Sequence, residues 1–112
     1  MGLKTITLEE IYLNELTNSN NWDILSKQYE LSDEILDEFS DKVNWEYISA
    51  NRRLSEDMIR KYSDKVNWTL ITVFQTLSES FIEEFENKID WYFVKSFQNV
   101  SPEFIKKYKD RK

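Results

Sequence analysis

The stretch that decides the fold is Leu54 to Trp68, LSEDMIRKYSDKVNW, because it returns 23 residues later as Leu77 to Trp91, LSESFIEEFENKIDW, with its apolar positions kept. Aligning the four tryptophans extends the period over most of the chain and gives four repeats without an insertion: 21–43, 44–66, 67–89 and 90–112. A fixed period of this length is typical of a solenoid, in which each repeat buries its apolar face by stacking on its neighbours. We number the positions of each repeat from 1, the residue before the tryptophan, to 23.

The second half of each repeat predicts one amphipathic helix. Apolar residues fall at positions 11, 15, 16, 19 and usually 23, and positions 15 to 23 of this set share a stripe about 100° wide on a helix. Position 12 is serine in every repeat and is predicted to be the N-cap: Ser32, Ser55, Ser78 and Ser101. The Lys or Arg at position 22 is expected in the last helical turn, where a cation is favoured.

The first half of each repeat predicts a shorter helix that begins after Asn21, Asn44, Asn67 and Asp90. Apolar residues at positions 2, 4, 5 and sometimes 8 cover a wide arc, so this helix should be buried on more than one side. Residues 7–17, with Thr7 and Glu10 spaced as a capping box, predict a further helix within residues 1–20 that caps the array. No stretch alternates with period two, and no strand is expected. The predicted fold is an all-α, single-domain α-solenoid of four helix-turn-helix repeats, 21–112.

The repeat NWEYISANRRLSEDMIRKYSDKV resembles the short tandem repeats that are abundant in proteins of giant DNA viruses and occur in phages. The likeness covers residues 21–112 and depends on the Asn/Asp-Trp, Leu-Ser-Glu and Asp-Lys-Val elements together. It implies a helical repeat protein of viral or phage origin, whose natural target is a host protein such as a defence factor. Phe74 and Phe97 depart from the pattern, which usually has a polar residue at that position.

Composition argues against catalysis. The 112 residues include no His and no Cys, and there is no glycine-rich phosphate loop or metal-ligand spacing. We therefore predict that the chain is not an enzyme and has no catalytic, cofactor-binding or metal site. No apolar run approaches the roughly 20 residues of a membrane span, and no signal peptide is evident. The expected location is cytoplasmic, without a membrane partner.

The charges follow the repeats. The net charge of −6 comes from −7 in residues 1–43, +1 in 44–66, −3 in 67–89 and +3 in 90–112. At positions 17 and 18 the sign alternates from one repeat to the next: Asp37-Glu38, Arg60-Lys61, Glu83-Glu84 and Lys106-Lys107. If the helices stack in register, these pairs form a ladder of ion pairs that fixes register more than it adds stability.

Residues that neither the core nor the ladder explains are candidates for binding. On the first helix they occupy positions 3, 7 and 10, share one face and differ in every repeat, as expected for a surface that binds a macromolecule. The predicted partner-binding residues are Asp23, Glu46, Arg53, Thr69 and Tyr92. The predicted function is a non-catalytic protein-binding module, and ordinary drift at exposed positions is the alternative explanation for the variation.

A different reading starts from the acidic N-terminal third. Asp33, Glu34, Asp37 and Glu38 could mimic nucleic acid and inhibit a host nuclease or another nucleic-acid-binding defence protein. Direct binding of nucleic acid is not expected, because the four tryptophans occupy one position on the buried arc and are predicted to be core residues rather than a stacking platform.

Overall fold

A computed structural model describes residues 4–13 and 22–111 of the chain. Over these residues the protein is mostly helical, which confirms the all-α class. The elements in chain order are β1 (Lys4–Thr5), α1 (Leu8–Leu13), α2 (Trp22–Gln28), β2 (Tyr29–Glu30), α3 (Asp33–Glu38), α4 (Trp45–Asn51), α5 (Glu56–Lys61), α6 (Trp68–Phe74), α7 (Glu79–Glu84), α8 (Trp91–Phe97) and α9 (Pro102–Lys107).

The chain divides into two compact units, an N-terminal unit, Met1–Ile48, and a C-terminal unit, Ser49–Lys112. The division falls inside α4, so it does not coincide with a repeat boundary. The C-terminal unit contains most of repeat 2 and all of repeats 3 and 4, and within it α6 packs against α8.

Each repeat forms two short helices at the predicted places. The first runs over positions 2 to 8 and the second over positions 13 to 18. The serine at position 12 caps the second helix in all four repeats, since its hydroxyl accepts from the backbone N–H three residues later. Asn67 caps α6 in the same way, and Asp90 caps α8 by accepting from the N–H two residues later, while Asn21 lies outside the described residues.

The second helix of each repeat is shorter than predicted. It ends at position 18, and position 19 leaves the helical conformation, as at Phe85 with φ −107° and ψ 33°. The carbonyl of Phe85 then accepts from the N–H groups of Lys88, at 2.8 Å, and Ile89, at 3.0 Å. Position 22 therefore lies in a tight turn after the helix, and not in the last helical turn. The apolar residue at position 23 is still buried, because this turn folds it back onto the core.

The expectation of no strand was wrong in one place. Lys4 and Thr5 pair in parallel with Tyr29 and Glu30. A pair of two-residue strands is held by backbone groups and is too short for side chains to alternate, so a sequence pattern of period two cannot reveal it.

The N-terminal helix lies where it was predicted, from Leu8 to Leu13, and residues 14–17 of the predicted helix fall outside the described residues. Its capping box is formed: the Thr7 hydroxyl accepts from the Glu10 N–H at 3.0 Å, and the Glu10 carboxylate accepts from the Thr7 N–H at 3.3 Å. The O–H of Tyr12 donates to Glu38 at 2.7 Å, and this hydrogen bond raises the pKa of Tyr12.

The core follows the predicted positions. Position 16 is fully buried in the first three repeats, at Leu36, Ile59 and Ile82. Among the tryptophans, Trp22 is buried whereas Trp45, Trp68 and Trp91 are half-buried, so the prediction that Trp45 and Trp68 are nearly buried core residues was wrong. Three of the indole rings pack on the aromatic residue at position 19 of their own repeat: Trp22 on Phe39, Trp68 on Phe85 and Trp91 on Tyr108.

Candidate interaction surface

Successive repeats are joined by side chains that hydrogen-bond to the backbone of the neighbouring repeat. The hydroxyl at position 6 accepts from the N–H at position 1 of the next repeat, 18 residues on. This bond joins Ser26 to Asn44 in the N-terminal unit, and Ser49 to Asn67 and Thr72 to Asp90 in the C-terminal unit. Because the hydroxyl also donates to a carbonyl in its own helix, as Thr72 does to Trp68 at 2.8 Å, both of its hydrogen-bonding roles are used.

Two buried glutamines at position 9 bridge repeats in the C-terminal unit. The amide group of Gln75 donates to the carbonyl oxygens of Ser49, at 2.9 Å, and Arg52, at 2.7 Å, and its Oε1 accepts from the Leu54 N–H at 2.9 Å. Gln98 makes the same three kinds of bond one repeat later. Each glutamine thereby satisfies backbone groups left free where a first helix ends.

The tryptophans make a third recurring bond. The indole N–H of Trp45, Trp68 and Trp91 donates to the carbonyl five residues earlier, at 2.7 to 2.8 Å. For Trp22 the corresponding residue, Thr17, lies outside the described residues.

The predicted ion-pair ladder is present within the C-terminal unit, with a diagonal register. Arg60 at position 17 binds Glu84 at position 18 of the next repeat through two bonds of 2.9 Å. Glu83 at position 17 binds Lys107 at position 18 of the following repeat at 2.5 Å. The Arg60 guanidinium lowers the pKa of Glu84, and hydrogen bonds from Lys107 and Tyr108 lower the pKa of Glu83. All four charged groups are exposed, so these pairs align the repeats and add little stability.

The five predicted partner-binding residues are all exposed: Asp23, Glu46, Arg53, Thr69 and Tyr92. Two of them, Asp23 and Thr69, form hydrogen bonds with side chains of the following repeat. Thr69 donates to the Asp90 carboxylate at 2.9 Å. Asp23 accepts from the Asn44 amide and from Lys27, and these hydrogen bonds lower the pKa of Asp23. Asp23 and Thr69 therefore have a structural role that the sequence did not reveal.

Positions 3 and 7 lie on the first helix, but position 10 lies beyond its end at position 8. All described residues at positions 3 and 10 are exposed, whereas at position 7 Ala50 and Val73 are half-buried. The predicted single face is thus a helix face continued by the loop that follows it.

Tyr92 belongs to an exposed aromatic cluster on α8. Its side chain is 77% exposed, and its ring meets Phe93 edge-to-face at a centroid distance of 4.9 Å. Phe93 in turn contacts Phe97 edge-to-face at 5.8 Å, and Phe97 is 52% exposed. Large aromatic side chains that remain this accessible are typical of sites that bind other proteins.

Phe74, on helix α6, is another exposed aromatic residue of the C-terminal unit, with 59% of its side chain exposed. It lines a groove of about 410 Å³ together with Arg52 and Arg53. Phe74 and Phe97 both occupy position 8, which is usually polar but was included with positions 2, 4 and 5 in the arc predicted to be buried, and for these two side chains that prediction was wrong. The signal available in the sequence was that each replaces a residue that is polar in the first two repeats, Gln28 and Asn51.

The acidic residues of the alternative hypothesis all lie on α3 and are all exposed: Asp33, Glu34, Asp37 and Glu38. Glu38 also accepts the hydrogen bond from Tyr12 described above. This surface belongs to the N-terminal unit, whereas Tyr92, Phe97, Phe74 and Arg53 belong to the C-terminal unit.

Comparison with known proteins gives no assignment, since no family model, no curated protein and no solved structure matches the chain. Over residues 4–13 and 22–111 no group of three or more acidic residues is placed to hold a metal ion. Within the same ranges no helix has the length and apolar character needed to span a membrane.

Proposed function

We propose that this chain is a non-catalytic protein-binding module whose contact surface is built from exposed residues at the ends of the first helices: Arg53, Phe74, Tyr92 and Phe97. The observation that carries the proposal is the aromatic cluster on α8, where Tyr92 and Phe97 remain accessible on an otherwise well-packed repeat. Aromatic and arginine side chains contribute most of the binding energy in protein interfaces. Glu46 lies at the same repeat position as Tyr92 and belongs to the predicted surface of repeat 2.

The scaffold that we propose for this surface is an α-solenoid of four repeats with α1 as its N-terminal cap. Its support is the recurrence of the same side-chain to backbone bond at Ser26–Asn44, Ser49–Asn67 and Thr72–Asp90. Within the C-terminal unit the bonds Ser49–Asn67 and Thr72–Asp90 hold successive repeats in the same way, so residues at one repeat position of this unit form a row. Such a row can change residue by residue without disturbing the scaffold.

We propose a host protein as the partner, because the repeats resemble those of giant-virus and phage proteins. The test is affinity capture from a host lysate with the wild-type chain, followed by mass spectrometry and direct affinity measurement on the captured protein. Tyr92→Ala and Arg53→Ala are expected to weaken binding at least tenfold while changing the free energy of unfolding by less than about 0.5 kcal/mol. Glu30→Ala is the matched control, since Glu30 is exposed, lies at the same repeat position as Arg53 and is not among the residues that line the groove beside Arg53 and Phe74.

The second candidate function is mimicry of nucleic acid by the four carboxylates of α3. The observation that favours it is their joint exposure on one helix of six residues. In this case Tyr92→Ala and Arg53→Ala have little effect, whereas replacing Asp33, Glu34, Asp37 and Glu38 with Asn or Gln abolishes binding. Mimicry also makes the affinity fall steeply with salt concentration. Loss of affinity confined to this acidic variant would contradict the proposed aromatic surface.

A further inference from the structure

The outer face of repeat 4 differs from the corresponding faces of the earlier repeats. It carries a groove of about 280 Å³ whose lining includes Trp91, Ile105 and Tyr108. Ile105 occupies position 16, which is fully buried in repeats 1 to 3 but is half-buried here. The Arg111 guanidinium lies 5.5 Å from the centroid of the Trp91 ring, and Ile105 and Tyr108 are half-buried beside it.

Repeat 4 also lacks the side-chain hydrogen-bond acceptors through which repeat 3 binds backbone N–H groups of the repeat that follows it. In repeat 3 the hydroxyl of Thr72 accepts from the Asp90 N–H at 3.2 Å, and the carboxylate of Glu79 accepts from the Ser101 N–H. The corresponding residues of repeat 4 are Lys95 and Pro102, and neither side chain can accept a hydrogen bond. A further repeat docked in the same way would therefore leave two backbone N–H groups without these partners.

The charges around the groove are cationic. Lys95, Lys106 and Lys109 are exposed, and Lys95 and Lys109 line the groove itself. Residues 90–112 carry six basic and three acidic side chains. The diagonal register of the ladder in the C-terminal unit supports the same conclusion, because Arg60 and Glu83 at position 17 each bind an opposite charge in the repeat that follows, Glu84 and Lys107. By the same register, an anion on an element that covers this face would meet Lys106, which occupies position 17 of repeat 4.

We infer that the outer face of repeat 4 binds an acidic amphipathic helix of a protein partner. The apolar residues of this partner helix would fill the groove over Trp91, Ile105 and Tyr108. The carboxylates of the partner helix would face Lys95, Lys106 and Lys109. A helix fits because helices are what pack on the corresponding face one repeat earlier, where α8 lies against α6. Because Trp91 and Tyr108 also line the groove and offer aromatic rings on which bases stack, nucleic acid is tested below as the alternative occupant.

The experiment titrates the full chain with a synthetic acidic amphipathic peptide, LSDEILDEFSDKV, which has the sequence of residues 31–43 of this chain. Binding is followed by the NMR signals of the Ile105 methyl groups and the Trp91 indole. The control peptide carries Asn or Gln at the four acidic positions of its DEILDE segment. We expect saturable shifts at both residues with the acidic peptide and at least tenfold weaker binding of the neutral peptide, because carboxylate contacts with the lysines are lost. The double variant Lys95→Glu, Lys106→Glu should bind the acidic peptide at least tenfold more weakly than the wild type. Lys88→Glu, which changes an exposed residue of repeat 3, should leave the affinity for the peptide unchanged.

Three results would overturn the inference. The first is equal binding of the acidic and neutral peptides, or the absence of saturable shifts at Ile105 and Trp91. The second is tighter binding of a single-stranded oligothymidylate than of the acidic peptide at the same residues, which would assign the face to nucleic acid. The third is concentration-dependent self-association in sedimentation that Lys106→Glu abolishes, which would assign it to a second copy of the chain. Tyr92 belongs to the proposed contact surface and also lines this groove. Arg53→Ala distinguishes the two proposals, because it should weaken binding of the partner of the proposed function and leave peptide binding at this groove unchanged.

Discussion

Removal of the Gln75 side chain should destabilise the protein more than its polar character suggests. Gln75 is 5% exposed and satisfies one backbone N–H, of Leu54, and two backbone carbonyls, of Ser49 and Arg52. Each buried polar group that loses its partner costs about 1 to 3 kcal/mol. Because water can enter the space left by alanine and restore part of the pairing, we expect Gln75→Ala to lower the free energy of unfolding by about 3 kcal/mol.

The assay is urea unfolding followed by far-ultraviolet circular dichroism. A second variant, Gln75→Met, keeps most of the side-chain volume but makes none of the three bonds, and so separates the hydrogen bonds from the cavity. Gln28→Ala is the matched control, because Gln28 is an exposed glutamine at the end of a first helix and its loss should cost less than about 0.5 kcal/mol. A Gln75→Met variant as stable as the wild type would refute the reasoning that these bonds hold repeats 2 and 3 together.

Three further predictions concern the ladder and the aromatic core. Lys107→Glu should lower the melting temperature more than Lys106→Glu, because only Lys107 contacts Glu83, and the difference should shrink in high salt; equal effects would mean that the observed register is not formed. Since the folded-state pKa of Glu83 is lowered, its pairing stabilises the fold above the unfolded-state pKa and is lost as pH falls through the folded-state value. The melting temperatures of Glu83→Gln and the wild type should therefore differ at neutral pH and converge in acid, and a constant difference would contradict this. Trp68→Ala should cost about 3 kcal/mol in urea unfolding, since it loses both the Phe85 ring and the bond to the Ser63 carbonyl, and an unchanged midpoint would exclude a core role.

The parts of the fold that could be predicted are those in which one residue type recurs at one repeat position. Serine at position 12 recurs four times, and the hydroxyl makes the same cap each time, as Ser78 does for Phe81. Alternation of charge at positions 17 and 18 likewise predicted the ladder, although the diagonal pairing of Arg60 with Glu84 depends on a geometry that the sequence does not encode directly.

The sequence could not predict the places where the helical pattern of apolar residues continues although the backbone changes from a helix to a turn. The apolar residues at positions 19 and 23, such as Phe85 and Ile89, extend the helical stripe, so they conceal the turn that begins after position 18. The bridging glutamines were missed for a different reason. Gln75 and Gln98 occur in only two of the four repeats, and a polar residue at a buried position carries no periodic signal.

Exposure alone does not identify a binding surface in a repeat protein, and the first-helix positions demonstrate why. Thr69 and Tyr92 occupy the same position and are both exposed, yet Thr69 is committed to Asp90 of the next repeat while Tyr92 carries its aromatic ring outward. Thr69 is held in this way because the Asp90 carboxylate of repeat 4 lies 2.9 Å from its hydroxyl. Variation along a repeat position therefore combines two constraints, contact with the next repeat and contact with a partner. Only side chains that do not bind the next repeat are available to a partner, which is why the proposed surface omits Asp23 and Thr69.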